Sequence, residues 1–342
     1  MRTAILGAGA LGIIIGARMA QNGQQVDLID SFQENVDALN TNGARVTGFL
    51  ELHQKVTALT PEEMTGTYDL VLLLTKQTVN QKALTELLPY LHKESIVCTL
   101  QNGVPEESVA EIVGKERTIG GAVGFGATWL SPGVSELTSS MEAIEKFAFE
   151  IGEIDGVLRP RLEKVKDILD TAGGTTILTN LMGIRYTKLL MNSTFSGMSA
   201  ALNANFSEVL ADSKAMVCVA HIADEVIKVC RGLGYQMVEM QGVDFGFLEL
   251  TGKADIPSKM DLYRQVWGRH NNRASMLQDL EKGKKTEIDY INGVVCTGGK
   301  KCGIPTPFND KVVELVKEAE AKGGVNDFSY LERFNEIIEN AK

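Results

Sequence analysis

The chain has 342 residues, of which 44% are hydrophobic, so it is long enough for two domains with substantial cores. Its formal net charge of −10 excludes the basic surface that a nucleic-acid-binding protein needs, and no nucleic-acid partner is expected. The five cysteines are scattered without a CxxC pair, which is typical of reduced thiols and indicates a cytoplasmic protein.

The chain begins with an apolar strand that runs directly into a GxGxxG loop. A helical stretch over 13–21 follows the loop, and a second strand over 25–29 ends on Asp30, 18 residues after the last glycine. This context predicts a dinucleotide-binding βαβ unit. The uncharged run 4–17 is too short to cross a bilayer, and no other segment reaches membrane length, so no membrane contact is expected. The expected cofactor-binding loop consists of Gly7, Ala8, Gly9, Ala10, Leu11 and Gly12.

Each glycine of this loop has a physical role in the predicted unit. Gly7 allows a tight turn, Gly9 lets the backbone approach a diphosphate, and Gly12 lets helix and strand pack closely. The helix N-terminus offers N–H groups and a positive dipole end to the diphosphate. Asp30 would accept hydrogen bonds from ribose hydroxyls, so the sequence predicts NAD or NADP as cofactor.

Strands and helices alternate through the first half of the chain, which predicts a Rossmann-type, doubly wound and mostly parallel sheet. The predicted strands are 69–74, 95–100, 117–123, 147–152 and 175–178, and the predicted helices between them are 80–91 and 160–172.

Long helical periodicity replaces this alternation near residues 178–182. The pattern predicts a dinucleotide-binding domain over 1–180 and an all-helical domain over 181–342 for substrate binding or dimerisation. A homodimer through the helical domain is left open. The stretch 242–272 has the least periodicity and is expected to be a loop or insertion. The predicted helices of this half are 183–204, 207–233, 274–280 and 307–322.

Polar residues follow two of the predicted buried strands. Lys76 comes just after 69–74, and Asn102 follows 95–100. Ligands of doubly wound folds bind beyond the carboxyl ends of the strands, so both residues are candidates for a binding site. Asn102 also fits a plain Asn-Gly turn, and Lys76 also fits a solvated strand end.

A polar stripe crosses the first helix of the second half. Lys188, Asn192 and Ser196 are spaced i, i+4 and i+8, so they share one helix face among apolar neighbours. Such a stripe is costly in a buried helix unless it lines a cleft, although a surface helix would also carry it. Further along, Ser275 and Glu287 are candidates, and helical spacing places Glu287, Tyr290 and Ile291 along one side. From periodicity alone, Glu287 also fits a solvated surface charge.

Taken together, these motifs resemble the ketopantoate reductase (2-dehydropantoate 2-reductase) family over residues 1 to about 317. The motifs are the glycine loop, Gln101-Asn102-Gly103, Gly124-Phe125-Gly126-Ala127-Thr128, Lys188-Leu189-x-x-Asn192, Ser275-Met276-Leu277-Gln278-Asp279 and Glu287-Ile288-Asp289-Tyr290-Ile291-Asn292-Gly293. The late motifs are specific to this family, whereas many dehydrogenases share the glycine loop.

The resemblance implies a role for each candidate. Lys188 would be the general acid that protonates a substrate carbonyl, and Glu287 would hold the site and accept a hydrogen bond from a substrate hydroxyl. Asn102, Asn192 and Ser275 would bind the substrate, and Asn102 could also contact the cofactor. No metal is implied, because no metal-ligand spacing occurs in the sequence.

Two departures from the family pattern concern substrate and cofactor. The family usually has a second Asn followed by Pro-Leu where this chain has Ser196-Gly197-Met198. Many members have an Arg at the end of the second strand for the 2′-phosphate of NADP, whereas this chain has Asp30 followed by Ser31. Asp30 would repel that phosphate and favours NAD, while Lys76 resembles a second phosphate contact of the family.

The sequence therefore predicts an NAD(P)-dependent reductase that converts a branched 2-oxo acid, with ketopantoate as first candidate, to an (R)-2-hydroxy acid. The first alternative is an NAD-dependent D-2-hydroxy acid dehydrogenase of the same family. The second alternative, from another class, is a non-catalytic nucleotide-binding regulatory protein.

Overall fold

The computed structural model describes residues 1–240, 242–267 and 273–341. They form two compact units, one made of residues 1–101 and 105–181, the other of residues 102–104 and those from 182 onward. The division after Leu181 lies beside the boundary expected at 180. The segment 102–104, expected in the first domain, groups instead with the second unit.

All strands of the described chain lie in the first unit. They are β1 (Thr3–Leu6), β2 (Val26–Ile29), β3 (Ala44–Gly48), β4 (Leu52–Gln54), β5 (Thr57–Leu59), β6 (Tyr68–Leu73), β7 (Leu91–Thr99), β8 (Thr118–Val123), β9 (Ala127–Ser131), β10 (Val134–Leu137), β11 (Phe149–Gly152) and β12 (Thr175–Leu178). The helices of this unit are α1 (Ala10–Gln21), α2 (Gln33–Asn42), α3 (Asn80–Leu87), α4 (Glu106–Val113), α5 (Met141–Phe147) and α6 (Pro160–Leu169).

Eight strands form the main sheet, in the order β12-β11-β8-β7-β6-β1-β2-β5. Neighbouring strands are parallel except β8 and β11, which are antiparallel. Strand β1 lies between β2 and β6, so the order of the strands reverses between β1 and β6. This switch point is where a doubly wound sheet binds its ligand. The predicted Rossmann-type sheet is confirmed.

Apolar side chains cover both faces of the main sheet. Along β6, Leu70 and Leu72 belong to one core cluster, while Val71 and Leu73 belong to the other. Successive residues of a strand point to opposite faces, so a strand buried on both sides has an uninterrupted apolar sequence. This explains why the mostly apolar run over 69–74 predicts a buried strand.

A second, four-stranded sheet with the order β4-β3-β10-β9 was not predicted. Its strands are three to five residues long, and β10 pairs in parallel with β3, far away in the sequence. Segments this short carry too little periodicity to be recognised as strands. Helix α2 was also missed, because its sequence is mostly polar and rich in asparagine.

The described part of the second unit is helical and contains no strand, as predicted. Its helices are α7 (Leu181–Met191), a π-helical turn (Asn192–Ser196), α8 (Gly197–Leu202), α9 (Phe206–Ala211), α10 (Ser213–Gly232), α11 (Ile256–Trp267), α12 (Ser275–Glu281), α13 (Asn292–Cys302), α14 (Pro307–Lys322) and α15 (Asn335–Asn340). In the part of the chain that is described, no helix is long and apolar enough to cross a membrane.

Three predictions for this unit need correction. The helix expected over 183–204 contains the π-helical turn, and the one expected over 207–233 is divided at Asp212. The side chain of Asp212 accepts a hydrogen bond from the Ala215 N–H at 2.9 Å and so begins a new helix. The stretch 242–272, expected as a loop, contains α11; its last five residues, 268–272, lie outside the described residues. The helix predicted over 307–322 is confirmed as α14.

Candidate active site

The glycine loop follows β1 at the switch point, and each glycine stands in different surroundings. Gly7 has a φ of 108°, and a Cβ there would lie 2.6 Å from the backbone nitrogen of Thr75, just after β6. A Cβ on Gly12 would lie 2.1 Å from the carbonyl oxygen of Gly7. A Cβ on Gly9 would meet nothing within 4 Å. Gly7 and Gly12 therefore allow close backbone packing, whereas Gly9 faces open space that a ligand can fill.

The N-terminus of α1 is suited to an anion. Gly9 is the N-cap residue, no side-chain cap is formed, and the first turn contains no acidic residue. The first-turn N–H groups of a helix have no partner within the helix, and they carry the positive end of its dipole. The loop and this helix end therefore fit the diphosphate of a dinucleotide cofactor.

Asp30 is half-buried just after β2, and N–H donors orient its carboxylate. The backbone N–H of Phe32 donates to Oδ1 at 2.9 Å, and Nδ2 of Asn35 donates to Oδ2 at 3.2 Å. Burial raises the pKa of Asp30, while these donors act in the opposite direction. The same Asn35 amide donates to the carbonyl of Ala8 at 2.9 Å, so it links the glycine loop to Asp30.

The ends of β6 and β7 are joined by a buried amide network. Gln101 is 4% exposed, and its Nε2 donates to the Thr75 carbonyl at 2.6 Å and to Oδ1 of Asn80 at 2.7 Å. Asn80 returns a hydrogen bond to Oε1 of Gln101 at 3.2 Å. Lys76 is exposed and caps the short 3₁₀ turn Gln77–Val79. The network fixes the backbone on both sides of Lys76.

Asn102 follows this network as a half-buried residue, and Gly103 behind it has a φ of 81°. The chain therefore bends at this Asn-Gly pair, with Gly103 in the left-handed region that favours glycine. The chain around Asn102 groups with the second unit, which also contains Lys188, Asn192 and Glu287.

The polar stripe of the second unit stands out by its burial. From 181 to 202 every side chain is buried except Lys188, Met191, Asn192 and Ser196, which are half-buried. The three predicted polar residues therefore share one partly accessible face of a helix that is otherwise enclosed. A solvated surface helix would show exposed residues along this segment, and it shows none.

The π-helical turn lies between Asn192 and Ser196, so these two residues mark its ends. Its i→i+5 hydrogen bonds change the pairing of nearby carbonyl groups, and local hydroxyls supply donors. Oγ of Ser193 donates to the Leu190 carbonyl at 3.2 Å, and Oγ1 of Thr194 donates to the same carbonyl at 2.8 Å. Such π-helical turns are frequent at functional sites.

Ser275 and Glu287 lie on neighbouring elements of the second unit. Ser275 is exposed at the first position of α12, and α12 packs against the π-helical turn and α8. Glu287 is half-buried and caps the 3₁₀ turn Ile288–Tyr290, so the helical placement expected for 287–291 was wrong; the helix begins at Asn292.

The residue before Glu287 is firmly held. The backbone N–H and the hydroxyl of Thr286 both donate to Oε1 of Glu320 at 2.7 Å, and the Thr286 hydroxyl accepts from the Ile288 N–H at 3.2 Å. Glu287 therefore projects from a backbone that is hydrogen-bonded on both sides.

Sequence reasoning missed the buried amides that hold these segments: Asn35, Asn80, Asn292 and Asn309. In a single sequence they are indistinguishable from turn and surface amides. The motif quoted over 287–293 contained Asn292 but gave no separate signal for it.

The second unit thus presents an ammonium group, amide and hydroxyl groups and a carboxylate on packed elements. Such groups can bind a polar acid and transfer a proton to its carbonyl oxygen. The first unit presents the dinucleotide loop. Among the described residues, no group of His, Cys, Asp and Glu is arranged to hold a metal ion.

Comparison with known proteins gives a consistent family assignment. The family described as "Ketopantoate reductase PanE/ApbA" matches residues 3–150, and its C-terminal part matches residues 180–320. The chain is 32% identical to a 2-dehydropantoate 2-reductase of Pyrococcus abyssi over 95% of this chain and 99% of that protein.

Two solved structures show the same similarity. A D-mandelate dehydrogenase with NADH and anilino(oxo)acetate superposes with a TM-score of 0.80 at 27% identity, covering 94% of this chain and 99% of that one. A 2-dehydropantoate 2-reductase from Geobacter metallireducens superposes with a TM-score of 0.77 at 26% identity, covering 93% and 100%. The chain therefore belongs to the ketopantoate reductase family of NAD(P)-dependent oxidoreductases.

Proposed function

We propose that this enzyme reduces a branched 2-oxo acid to an (R)-2-hydroxy acid, with ketopantoate as its first candidate substrate. That reaction would belong to pantothenate and coenzyme A biosynthesis. The observation that carries the proposal is the half-buried polar face of Lys188, Asn192 and Ser196 on an otherwise buried helical segment. Family membership supports the same reaction.

Lys188 is the proposed general acid. Its ammonium group would donate a proton to the carbonyl oxygen of the substrate as the carbonyl carbon is reduced, and its positive charge would stabilise the developing alkoxide. Asn192, Ser196, Ser275 and Asn102 would bind the substrate through hydrogen bonds.

Glu287 would accept a hydrogen bond from a hydroxyl group of the substrate. Its position on a turn anchored through Thr286 supports this role, because a fixed acceptor can orient the acid relative to Lys188.

The dinucleotide would supply the hydride, and the residues from Gly7 to Gly12 would hold its diphosphate. We infer a preference for NADH. The carboxylate of Asp30 can accept hydrogen bonds from ribose hydroxyls and would repel a 2′-phosphate. Ser31 stands where many relatives have an arginine. Lys76 remains a candidate cofactor contact, and it is the one observation that favours NADPH.

A second candidate function is an NADH-dependent D-2-hydroxy acid dehydrogenase. Three observations favour it: Asp30, the shorter Ser196 where the family usually has asparagine, and the similarity to a D-mandelate dehydrogenase solved with NADH. A shorter side chain at 196 leaves more room for a larger substrate group. A homodimer formed through the helical unit stays a prediction.

A substrate panel tests the proposal. NADH and NADPH oxidation would be followed at the nicotinamide absorbance band with ketopantoate, 2-oxoisovalerate and phenylglyoxylate. We expect the highest kcat/KM for ketopantoate with NADH. Much faster turnover of either other acid would support the second candidate. Cofactor binding without turnover of any acid would support a regulatory nucleotide-binding protein.

A further inference from the structure

A side chain outside the proposed substrate contacts joins two of the candidate segments. Asn292 is fully buried at the start of α13, and its Nδ2 donates to the carbonyl oxygen of Ser193 at 3.0 Å. Ser193 lies inside the π-helical turn, directly after Asn192. Asn292 follows Glu287 by five residues, and only Ile291 separates it from the 3₁₀ turn that Glu287 caps. One hydrogen bond therefore connects the Glu287 segment to the π-helical turn.

The Asn292 amide is held in a single orientation. Its Nδ2 also donates to Oδ1 of Asn309 at 2.9 Å, so both amide hydrogens are used. Asn309 in turn donates from Nδ2 to Oε2 of Glu225 at 2.7 Å, and the backbone N–H groups of Phe308 and Asn309 donate to the same carboxyl group at 2.9 Å. The N-terminus of α14 and the middle of α10 thus fix the direction of the Asn292 side chain.

Gly197 provides the space for this arrangement. A Cβ at Gly197 would lie 2.8 Å from Oδ1 and 3.0 Å from Nδ2 of Asn292. A side chain at this position would push the amide away from the Ser193 carbonyl. The glycine directly after Ser196 is therefore matched to the buried amide.

We propose that Asn292 is a positioning residue of this enzyme: it holds the π-helical turn, with Asn192 and Ser196 at its ends, in register with the turn that carries Glu287. The proposal rests on the proposed function, in which Asn192 and Ser196 bind the 2-oxo acid. Asn292 itself touches neither substrate nor cofactor in this role. Without its hydrogen bond the π-helical turn loses a tether, and the substrate contacts at its ends become less well placed.

The test is the steady-state kinetics of Asn292→Ala with the preferred 2-oxo acid. We expect the KM for the oxo acid to rise about tenfold, because the displaced ends of the π-helical turn would lose substrate binding energy on the order of one hydrogen bond, while the KM for NADH changes less than about twofold. Asn292→Leu fills the same space without an N–H donor. It should raise the KM for the oxo acid and leave the KM for NADH nearly unchanged, and it replaces the alanine variant in the test if that variant folds poorly.

Asn326 provides a matched control within the same unit. It is also buried, and its Nδ2 donates to the backbone carbonyls of Ala201 at 3.1 Å and Leu315 at 2.9 Å, but not to the π-helical turn. Asn326→Ala should lower the melting temperature without raising the KM for the oxo acid. An equal rise in KM in both variants would show a general structural effect and would overturn the positioning role.

A double-mutant cycle with Asn192→Ala separates this proposal from the proposed function. If Asn292 acts through the π-helical turn, Asn292→Ala should raise KM by less than about twofold in the Asn192→Ala background. If Asn192→Ala raises KM and Asn292→Ala does not, the positioning role is wrong and the proposed function stands. If Asn192→Ala leaves KM unchanged, the proposed contact of Asn192 with the substrate fails; the effect of Asn292→Ala must then disappear in the Ser196→Ala background, and an undiminished effect there overturns the positioning role.

Discussion

Asp30 ends the second strand of the nucleotide-binding unit with its carboxylate oriented before any cofactor binds. Phe32 and Asn35 donate to its two oxygens, and Asn35 also binds the glycine loop through the Ala8 carbonyl. Each carboxylate oxygen has further lone pairs, so ribose hydroxyls can still be accepted. The same charge opposes a 2′-phosphate. We therefore expect Asp30 and its neighbour Ser31 to have the largest influence on the choice between NADH and NADPH.

Exchanging these two residues should reverse the cofactor preference. With Asp30→Ser and Ser31→Arg together, we expect the ratio of kcat/KM for NADPH to that for NADH to rise on the order of 100-fold, because repulsion is removed and a charge-assisted hydrogen bond is gained. Serine at 30 still offers an acceptor to the Phe32 N–H. Ser31→Arg alone separates the two contributions. An unchanged ratio in the double variant would contradict the role given to Asp30.

Glu225 is a buried carboxyl group whose ionisation affects stability. Burial is the main cause that raises the pKa of Glu225 to about 7, and the negative charge of Asp310 acts in the same direction. The N–H donors of Phe308 and Asn309 favour the charged form and so lower the pKa. The ordinary value is 4.5, so between about pH 4.5 and 7 the folded protein holds this proton and the unfolded chain does not. The stabilisation from this group is therefore complete below about pH 4.5 and is lost as pH rises through about 7.

Glu225→Gln removes this titration. The free energy of unfolding of the wild type minus that of Glu225→Gln should fall between pH 5 and pH 8, by up to roughly 3 kcal/mol. Urea unfolding curves at several pH values give this difference directly. Parallel pH profiles for the two proteins would show that the carboxyl group does not titrate in this range.

Among the structural elements, the strand–loop–helix unit at the start of the chain uses different glycines for backbone packing and for ligand binding. Gly12 packs against the Gly7 carbonyl, whereas Gly9 faces open space. Gly12→Ala should lower the free energy of unfolding by about 1–3 kcal/mol, because its Cβ forces the backbone apart. This loss would be measured by thermal or urea unfolding without cofactor.

Gly9→Ala is the matched variant that tests binding of the cofactor diphosphate by the glycine loop. Its stability without cofactor should stay within about 0.5 kcal/mol of the wild type, since the added methyl group meets no protein atom. The Kd for NADH, measured by fluorescence titration, should rise at least about tenfold because the methyl group occupies space near the diphosphate. Tight NADH binding by Gly9→Ala would show that the diphosphate lies elsewhere.

The elements also show which structure can be predicted from a sequence. Strand β12 and helix α14 were predicted with their observed bounds. Helix α14 has apolar periodicity between Pro307 and Gly323, and β12 is a short β-branched and apolar segment directly after two glycines. The π-helical turn was not predicted. Its residues give no sequence signal that separates a π-helical turn from a continuous α-helix, and carbonyl groups in or just before the turn are bound by Ser193, Thr194 and the distant Asn292.

Over the whole chain, the cofactor-binding candidates and the substrate-binding candidates differ in how far the sequence could identify them. Most cofactor-binding candidates lie within the first 30 residues, where strand, loop, helix and acid form one recognisable pattern; Lys76 and Asn102 lie outside it. The substrate-binding and catalytic candidates are spread from Asn102 to Glu287. Periodicity grouped Lys188, Asn192 and Ser196. Ser275 and Glu287 were also candidates, but periodicity left Glu287 open as a surface charge, and the family resemblance gave both residues their roles. Packing of α12 and α13 against neighbouring helices, which joins these segments, is not encoded in local spacing.

In the proposed reaction, Lys188 is the acid that protonates the 2-oxo acid during its reduction by this NAD(P)-dependent enzyme. The most direct measurement compares kcat and the Kd for NADH in the wild type, in Lys188→Ala and in the control Lys214→Ala, whose lysine pairs with Glu332 near the surface. We expect Lys188→Ala to lower kcat by about 10²- to 10⁴-fold, with the Kd for NADH within about twofold of the wild type. Lys214→Ala should have the same kcat and the same Kd for NADH as the wild type. Unchanged turnover in Lys188→Ala would contradict the account.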